Sequence, residues 1–255
     1  MFGVFKKWWR QRIIRKSVIP DILWHEAYSR LAILDRLTDV EKTQLRQLAI
    51  LLLHQKEFTG TQGLQLNNEM KLVIALQASL PILNLGIEWY RGWVSIIVYP
   101  DSFIPQHSVV DEAGVVHQSK AVLSGEAWQR GPVILAWDEV AIAGIKDGSN
   151  LVIHEFVHKL DMLNGDANGF PPLHNGMDRK AWSVSFAAAY QDLSERLDAG
   201  QATVIDDYAA TSPGEFFAVL SEVFFEKPEQ LVAVYPDVYH LMCEFYRQNP
   251  LIVED

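Results

Sequence analysis

The chain has 255 residues, 49% hydrophobic and 21% charged, with a net charge of −10. This composition excludes a disordered, collagenous or low-complexity protein, and a chain of this length can bury a core without disulfides. Its acidity argues against direct nucleic-acid binding, and its longest uncharged run, Leu72–Ile87, is too short and too interrupted by Gln77, Pro81 and Asn84 to span a membrane.

Residues 1–20 hold Lys6, Lys7, Arg10, Arg12, Arg15 and Lys16 and no acid, leaving 16 basic against 32 acidic side chains in the rest. No apolar stretch of the kind found in secretory signals follows them. The segment reads as a basic arm lying on the acidic body; as an amphipathic helix it would also suit a membrane surface or an acidic partner. From Asp21 to Leu53 the leucine spacing is helical, with a break at Thr38-Asp39 and a new start marked by Glu41. Phe58–Thr61 reads as a loop, and Asn68–Leu80 as a helix stopped by Pro81.

The period then changes. Trp93–Tyr99 is β-branched and aromatic and predicts a strand. Val109-Val110 and Val115-Val116 flank Asp111–Gly114 as a hairpin, and Pro132–Trp137 predicts another short strand, whose exposed edge could pair with an extended substrate. Beyond Asn150 the pattern is helical again, with a Gly-, Asn- and Pro-rich stretch at 164–176. These elements predict an α+β fold: one compact domain over 21–255 behind the arm 1–20. The single cysteine, Cys243, excludes an internal disulfide and fits a reducing compartment, so a cytoplasmic protein is expected.

The chemistry is concentrated at His154-Glu155-Phe156-Val157-His158. Turn and capping residues at Asp147–Asn150 precede it, no Pro or Gly interrupts Leu151–Leu163, and Asn164-Gly165 stops the helix. On that helix the two imidazoles lie one turn apart on one face, where both can bind a single zinc ion, and Glu155 stands beside the metal as a proton acceptor. The third ligand decides the class. A metzincin would place Gly and His where this chain has Asp161 and Asn164, so that class is excluded. A carboxylate from a later helix is the other common solution. Glu215 and Glu222 share a face of the helix that starts at Ser212-Pro213. The pattern favours Glu215, although Ser212-x-x-Glu215 is equally a capping box. Asp161 could orient a ligand ring or merely solvate the helix end, and His174 could line the cleft.

The runs HEFVHKLD, DMLNGDANGF and DYAATSPGEFFAVLSEVFFEKP resemble the Mlc titration factor A family, and the resemblance extends along the whole chain. It implies a zincin-like fold of the gluzincin type, similar to the anthrax lethal factor catalytic domain, and an aminopeptidase-type zinc peptidase with one Zn2+ per chain. In that pattern His154, His158 and Glu215 are the metal ligands, Glu155 is the general base and Tyr208 assists the reaction. The resemblance also implies binding of the transcriptional repressor Mlc, which would link the protein to control of the glucose phosphotransferase system. The alternative is a stoichiometric repressor-binding regulator with little peptidase activity.

Overall fold

The structure, a computed structural model, describes residues 2–101, 108–110, 116–118 and 131–252. Among these described residues, ten α-helices and five short strands run in the order α1 (Phe2–Lys16), α2 (Asp21–Ser29), α3 (Asp39–Gln55), β1 (Glu57–Gly60), α4 (Asn68–Ser79), β2 (Ser95–Tyr99), β3 (Ser108–Val110), β4 (Val116–Gln118), β5 (Val133–Ala136), α5 (Trp137–Ile142), α6 (Leu151–Asp161), α7 (Arg179–Asp198), α8 (Pro213–Glu226), α9 (Pro228–Val234) and α10 (Pro236–Tyr246). Mixed helices around a small parallel sheet are what this adds to the α+β expectation. No described helix is long and apolar enough to cross a membrane.

β2 is the middle strand of the three-stranded sheet, parallel to β1 on one side and to β5 on the other. Its Ile96 and Val98 are fully buried, as are Val133 and Leu135 of β5 to within 1%. The alternation places one face of the sheet on the core. β1 corrects the expectation of a loop at Phe58–Thr61: Glu57 to Gly60 pair with Ser95 to Val98 in register. Trp137 likewise begins α5 rather than ending a strand. β3 and β4 pair antiparallel, Val110 opposite Val116, as the hairpin expectation required, although the turn between them lies outside the described residues.

Helix boundaries follow their capping chemistry. Thr38 and Glu41 form a reciprocal capping box that starts α3. Asn67 accepts from Met70 N and starts α4, which is buried from Leu72 to Ser79 and ends before Pro81. Asn150 accepts from Ile153 N, and Ser212 from Glu215 N, to start α6 and α8. α6 packs on α8, on α4 and on β5, and α8 is buried along its length from Gly214 to Glu226. Behind α8 an aromatic cluster fills the core: Trp182 stacks on Phe186 at 4.2 Å between ring centroids, and Phe217 and Phe245 meet Trp182 edge-on. Each fully buried ring contributes about 2–3 kcal/mol by removal from water.

Two glycines set how closely the loop after α6 approaches the start of α8. Gly169 has φ 74° and no room for a side chain, since a Cβ would lie 2.5 Å from the Pro213 carbonyl oxygen; a Cβ on Gly214 would lie 2.6 Å from that of Ala167. Asp161 Oδ2 accepts from Gly169 N at 2.7 Å, and Trp182 Nε1 donates to Gly169 O at 2.9 Å, so the loop is clamped from both sides. α1 lies against α3. Lys6 and Arg10 pair with Glu88, Ile13 and Ile14 pack on the core, and Trp9 meets His54 at 5.5 Å.

Candidate metal centre

α6 carries His154 and His158 on one face, one turn apart, and α8 crosses it so that Glu215, in its own first turn, meets both. His154 Nε2 and His158 Nε2 lie 2.9 and 3.2 Å from Glu215 Oε2 and 3.2 Å from each other. All three residues are buried or nearly so, and among the described residues they are the group whose donor atoms converge as a metal site requires. Ser212 caps α8 through its hydroxyl, while the Glu215 carboxylate faces the histidines. Of the capping box that the Ser-x-x-Glu spacing allowed, only the half from Glu215 N to Ser212 Oγ forms, and the Glu215 carboxylate turns to the histidines instead of to the Ser212 backbone.

The donor set fits a tetrahedral zinc ion. Bonds of about 2.0–2.1 Å place neighbouring ligand atoms about 3.3–3.4 Å apart, close to the triangle seen here. Electrostatics agree. Two imidazole nitrogens and a carboxylate oxygen in a buried triangle repel one another unless a positive charge sits among them, either a proton or a metal cation. Burial disfavours the charged form of His154, but hydrogen bonds to Glu215 and Glu222, together with the charges of Glu222 and Glu155, overcome it and raise its pKa to about 10. Burial likewise pushes Glu215 upward, but the two histidines outweigh it and hold its pKa at about 2.

Glu155 and Tyr208 line, with His154 and Glu222, a cleft of about 910 Å³ that also takes in Glu139, Asp147 and the segment 201–207. Burial, partly offset by the two histidines, raises the pKa of Glu155, as suits a proton acceptor. The Tyr208 ring lies 6.0 Å from that of His154, at 38% exposure. Partial burial and the charges of Glu215 and Glu155 raise its hydroxyl to about 12, so it remains a hydrogen-bond donor at neutral pH.

The structure thus brings together all five residues read from the sequence: His154, His158, Glu215, Glu155 and Tyr208. It places three others differently from what spacing implied. Glu222, the rival third ligand, lies instead on the far side of His154, with Oε1 2.7 Å from Nδ1. Its seven-residue offset from Glu215 was the available signal: two acids on one helix face can hold the two nitrogens of one ring. Asp161 spends Oδ2 on the Gly169 backbone, while its Oδ1 and His158 Nδ1 are both buried without hydrogen-bond partners, so it orients neither ligand ring by a direct bond. His174 bonds to Phe245 O at 2.8 Å and stacks on Phe245, half-buried beside the core and outside the cleft lining. Lys159, which no sequence pattern singles out, donates to Gly131 O at 3.0 Å and ties α6 to the start of β5.

The profile of the family described as glucose-regulated metallo-peptidase M90 matches residues 5–247. Curated relatives named Mlc titration factor A are similar along most of the chain. The protein from Escherichia fergusonii is 41% identical over 231 residues, covering 90% of this chain and 87% of its own. That from Salmonella arizonae is 40% identical over 250 residues, covering 96% and 97%. That from Yersinia pestis strain Pestoides F is 40% identical over 231 residues, covering 89% and 85%. The convergent metal donors on α6 and α8 thus sit in a chain that belongs to the glucose-regulated metallo-peptidase M90 family.

Proposed function

We propose that the protein is a zinc-dependent peptidase of the aminopeptidase type, acting in the cytoplasm as a single unit over 21–255 with the arm 1–20 laid on it. The fold is read as zincin-like, of the gluzincin kind. The observation that carries this reading is the triangle of His154 Nε2, His158 Nε2 and Glu215 Oε2, whose His154 lines a cleft together with Glu155 and Tyr208.

His154, His158 and Glu215 would hold the ion. When bound, zinc lowers the pKa of a water molecule and polarises a peptide carbonyl. Glu155, half-buried and raised in pKa, takes the proton of the attacking water and returns it to the leaving amine. Tyr208 stays protonated and donates to the carbonyl oxygen as negative charge develops there.

A second reading is supported by the relatives' printed name, which describes titration of Mlc. The chain would then bind the repressor Mlc stoichiometrically, with or without turnover. The two roles separate experimentally. Purified wild type and Glu155→Gln are assayed on an alanine chromogenic anilide, with chelator and with zinc restored, and each is tested for Mlc binding. Zinc-dependent hydrolysis in the wild type and none in Glu155→Gln is the expected result. Absence of hydrolysis by zinc-loaded wild type, with Mlc binding intact, would overturn the peptidase reading in favour of the second.

A further inference from the structure

We infer that Glu222 is a positioning residue of the metal centre, selecting which nitrogen of His154 is left free to bind the ion. The inference rests on the zinc reading above and adds to it a residue outside the ligand set. Glu222 is 6% exposed. One carboxylate oxygen lies 2.7 Å from His154 Nδ1; the other accepts from the backbone N–H of Asn150, with Ser149 Oγ at 3.4 Å.

Donors and acceptors decide the tautomer. The Asn150 N–H can only donate, and an ionised carboxylate can only accept. A carboxylate between that N–H and Nδ1 therefore holds the imidazole proton on Nδ1. When the ion displaces the second proton, the lone pair it meets is on Nε2, the atom that faces Glu215 and His158. The anchor is itself held. Asn150 is the N-cap of α6, and its side-chain amide donates at 2.8 Å to both Gln77 of α4 and Glu226 of α8. Glu222 thus fixes the His154 ring against the start of the very helix that carries it, so ring and helix cannot rotate independently.

Glu222→Gln tests this with almost no change of shape. The amide has one accepting oxygen and one donating nitrogen, but the site presents two donors. Its oxygen goes to the Asn150 N–H, whose role is fixed, and its nitrogen then faces Nδ1. Nδ1 must become an acceptor, and the imidazole proton moves to Nε2, where it obstructs the metal bond. Loss of such a partner typically weakens metal binding 10–100-fold.

The full chain, as wild type, Glu222→Gln, Glu222→Asp and Gln77→Leu, is titrated with Zn2+ against a chromophoric chelator. Each zinc-loaded protein is also examined by NMR with 15N-labelled histidine. The expected wild-type result is tight binding and a slowly exchanging Nδ1–H on His154. Glu222→Gln binds roughly 10–100-fold more weakly and loses that resonance, and Glu222→Asp, which keeps two acceptors, recovers part of the affinity. Gln77→Leu removes an acceptor from the same Asn150 without touching Glu222 or His154. It lowers the thermal midpoint and leaves zinc affinity and the resonance unchanged.

Wild-type affinity in Glu222→Gln overturns the inference, as does an equal loss in Gln77→Leu. A wild-type spectrum in which His154 binds zinc through Nδ1 overturns it without any variant, whether or not Glu222→Gln folds. A wild type that takes up no zinc overturns the metal reading first and this inference with it.

Discussion

Replacing Gly169 by Ala tests how closely the loop after α6 must approach the start of α8. The backbone there has φ 74°, a region in which a Cβ costs about 1–2 kcal/mol. The added methyl would also lie 2.5 Å from the Pro213 carbonyl oxygen, so loop and helix must part by more than half an ångström. Overpacking of that kind costs about 1–3 kcal/mol. The separation also strains the bonds from Gly169 N to Asp161 and from Trp182 to Gly169 O, at about 1 kcal/mol. The total is about 4 kcal/mol, or a thermal midpoint lowered by roughly 8–16 °C for a chain of this size. Gly176 is the matched control: its φ is 98°, but nothing lies within 4 Å of where its methyl would stand, so Gly176→Ala carries the conformational cost alone, roughly 3–6 °C. Thermal unfolding followed by far-UV circular dichroism measures both. Because Pro213 is two residues from Glu215, zinc affinity should fall in Gly169→Ala and not in Gly176→Ala. Equal midpoints in the two variants would refute the close-approach argument.

Three further outcomes follow from the site and the core. Tyr208→Phe removes only the donor at the mouth of the cleft, so kcat on the alanine anilide should fall roughly 10²–10³-fold with KM and zinc affinity little changed; a fall confined to KM would show that Tyr208 merely binds substrate. Glu226 is 2% exposed, and burial raises its pKa from 4.5 to about 7 against hydrogen bonds from Asn150 and the Lys146 backbone. A raised carboxylate pKa means that the folded state holds the proton more tightly. Stability present below pH 4.5 is therefore lost as pH rises to 7, by about 3 kcal/mol. Urea midpoints at pH 5 and pH 8 should differ less in Glu226→Gln than in the wild type, and an unchanged difference would sink the assignment. Phe217→Ala should cost about 3–5 kcal/mol in urea unfolding, because the ring is fully buried between Trp182 and Phe245 and the aromatic cluster cannot close over the cavity.

What was legible in the sequence was whatever depends on neighbours along the chain. The α6 histidines, their N-cap at Asn150 and the Ser212-Pro213 start of α8 are local patterns, and the structure realises each of them. β1 escaped because Glu57–Gly60 has only four residues, ends in glycine and shows no run of large apolar side chains; it is a strand because β2 offers it a partner. Glu222 escaped for a different reason. Spacing placed it on the face of Glu215, but whether it meets the metal or the back of His154 depends on how α8 is rotated against α6. That rotation is set by aromatic packing behind α8 and by the Gly169–Pro213 and Gly214–Ala167 contacts, none of which has a one-dimensional signature. Whether His174 lines the cleft is equally illegible along the chain, since its partner, Phe245, lies 71 residues away.

The N-terminal helix has a property that its composition hides. Its two halves are fastened by forces that answer oppositely to ionic strength. Lys6 and Arg10 reach Glu88 through solvent-exposed charges, which screening weakens once the Debye length falls to a few ångströms. Ile13 and Ile14 are fastened by burial against the core, which excluded salts such as sulfate strengthen. Raising ammonium sulfate should therefore loosen the turns that carry Lys6 and Arg10 while seating those that carry Ile13 and Ile14 more firmly. Trp8 and Trp9 lie at the boundary between the two, and the difference between wild-type fluorescence and that of a Trp8→Phe, Trp9→Phe variant would isolate their signal from that of the other six tryptophans.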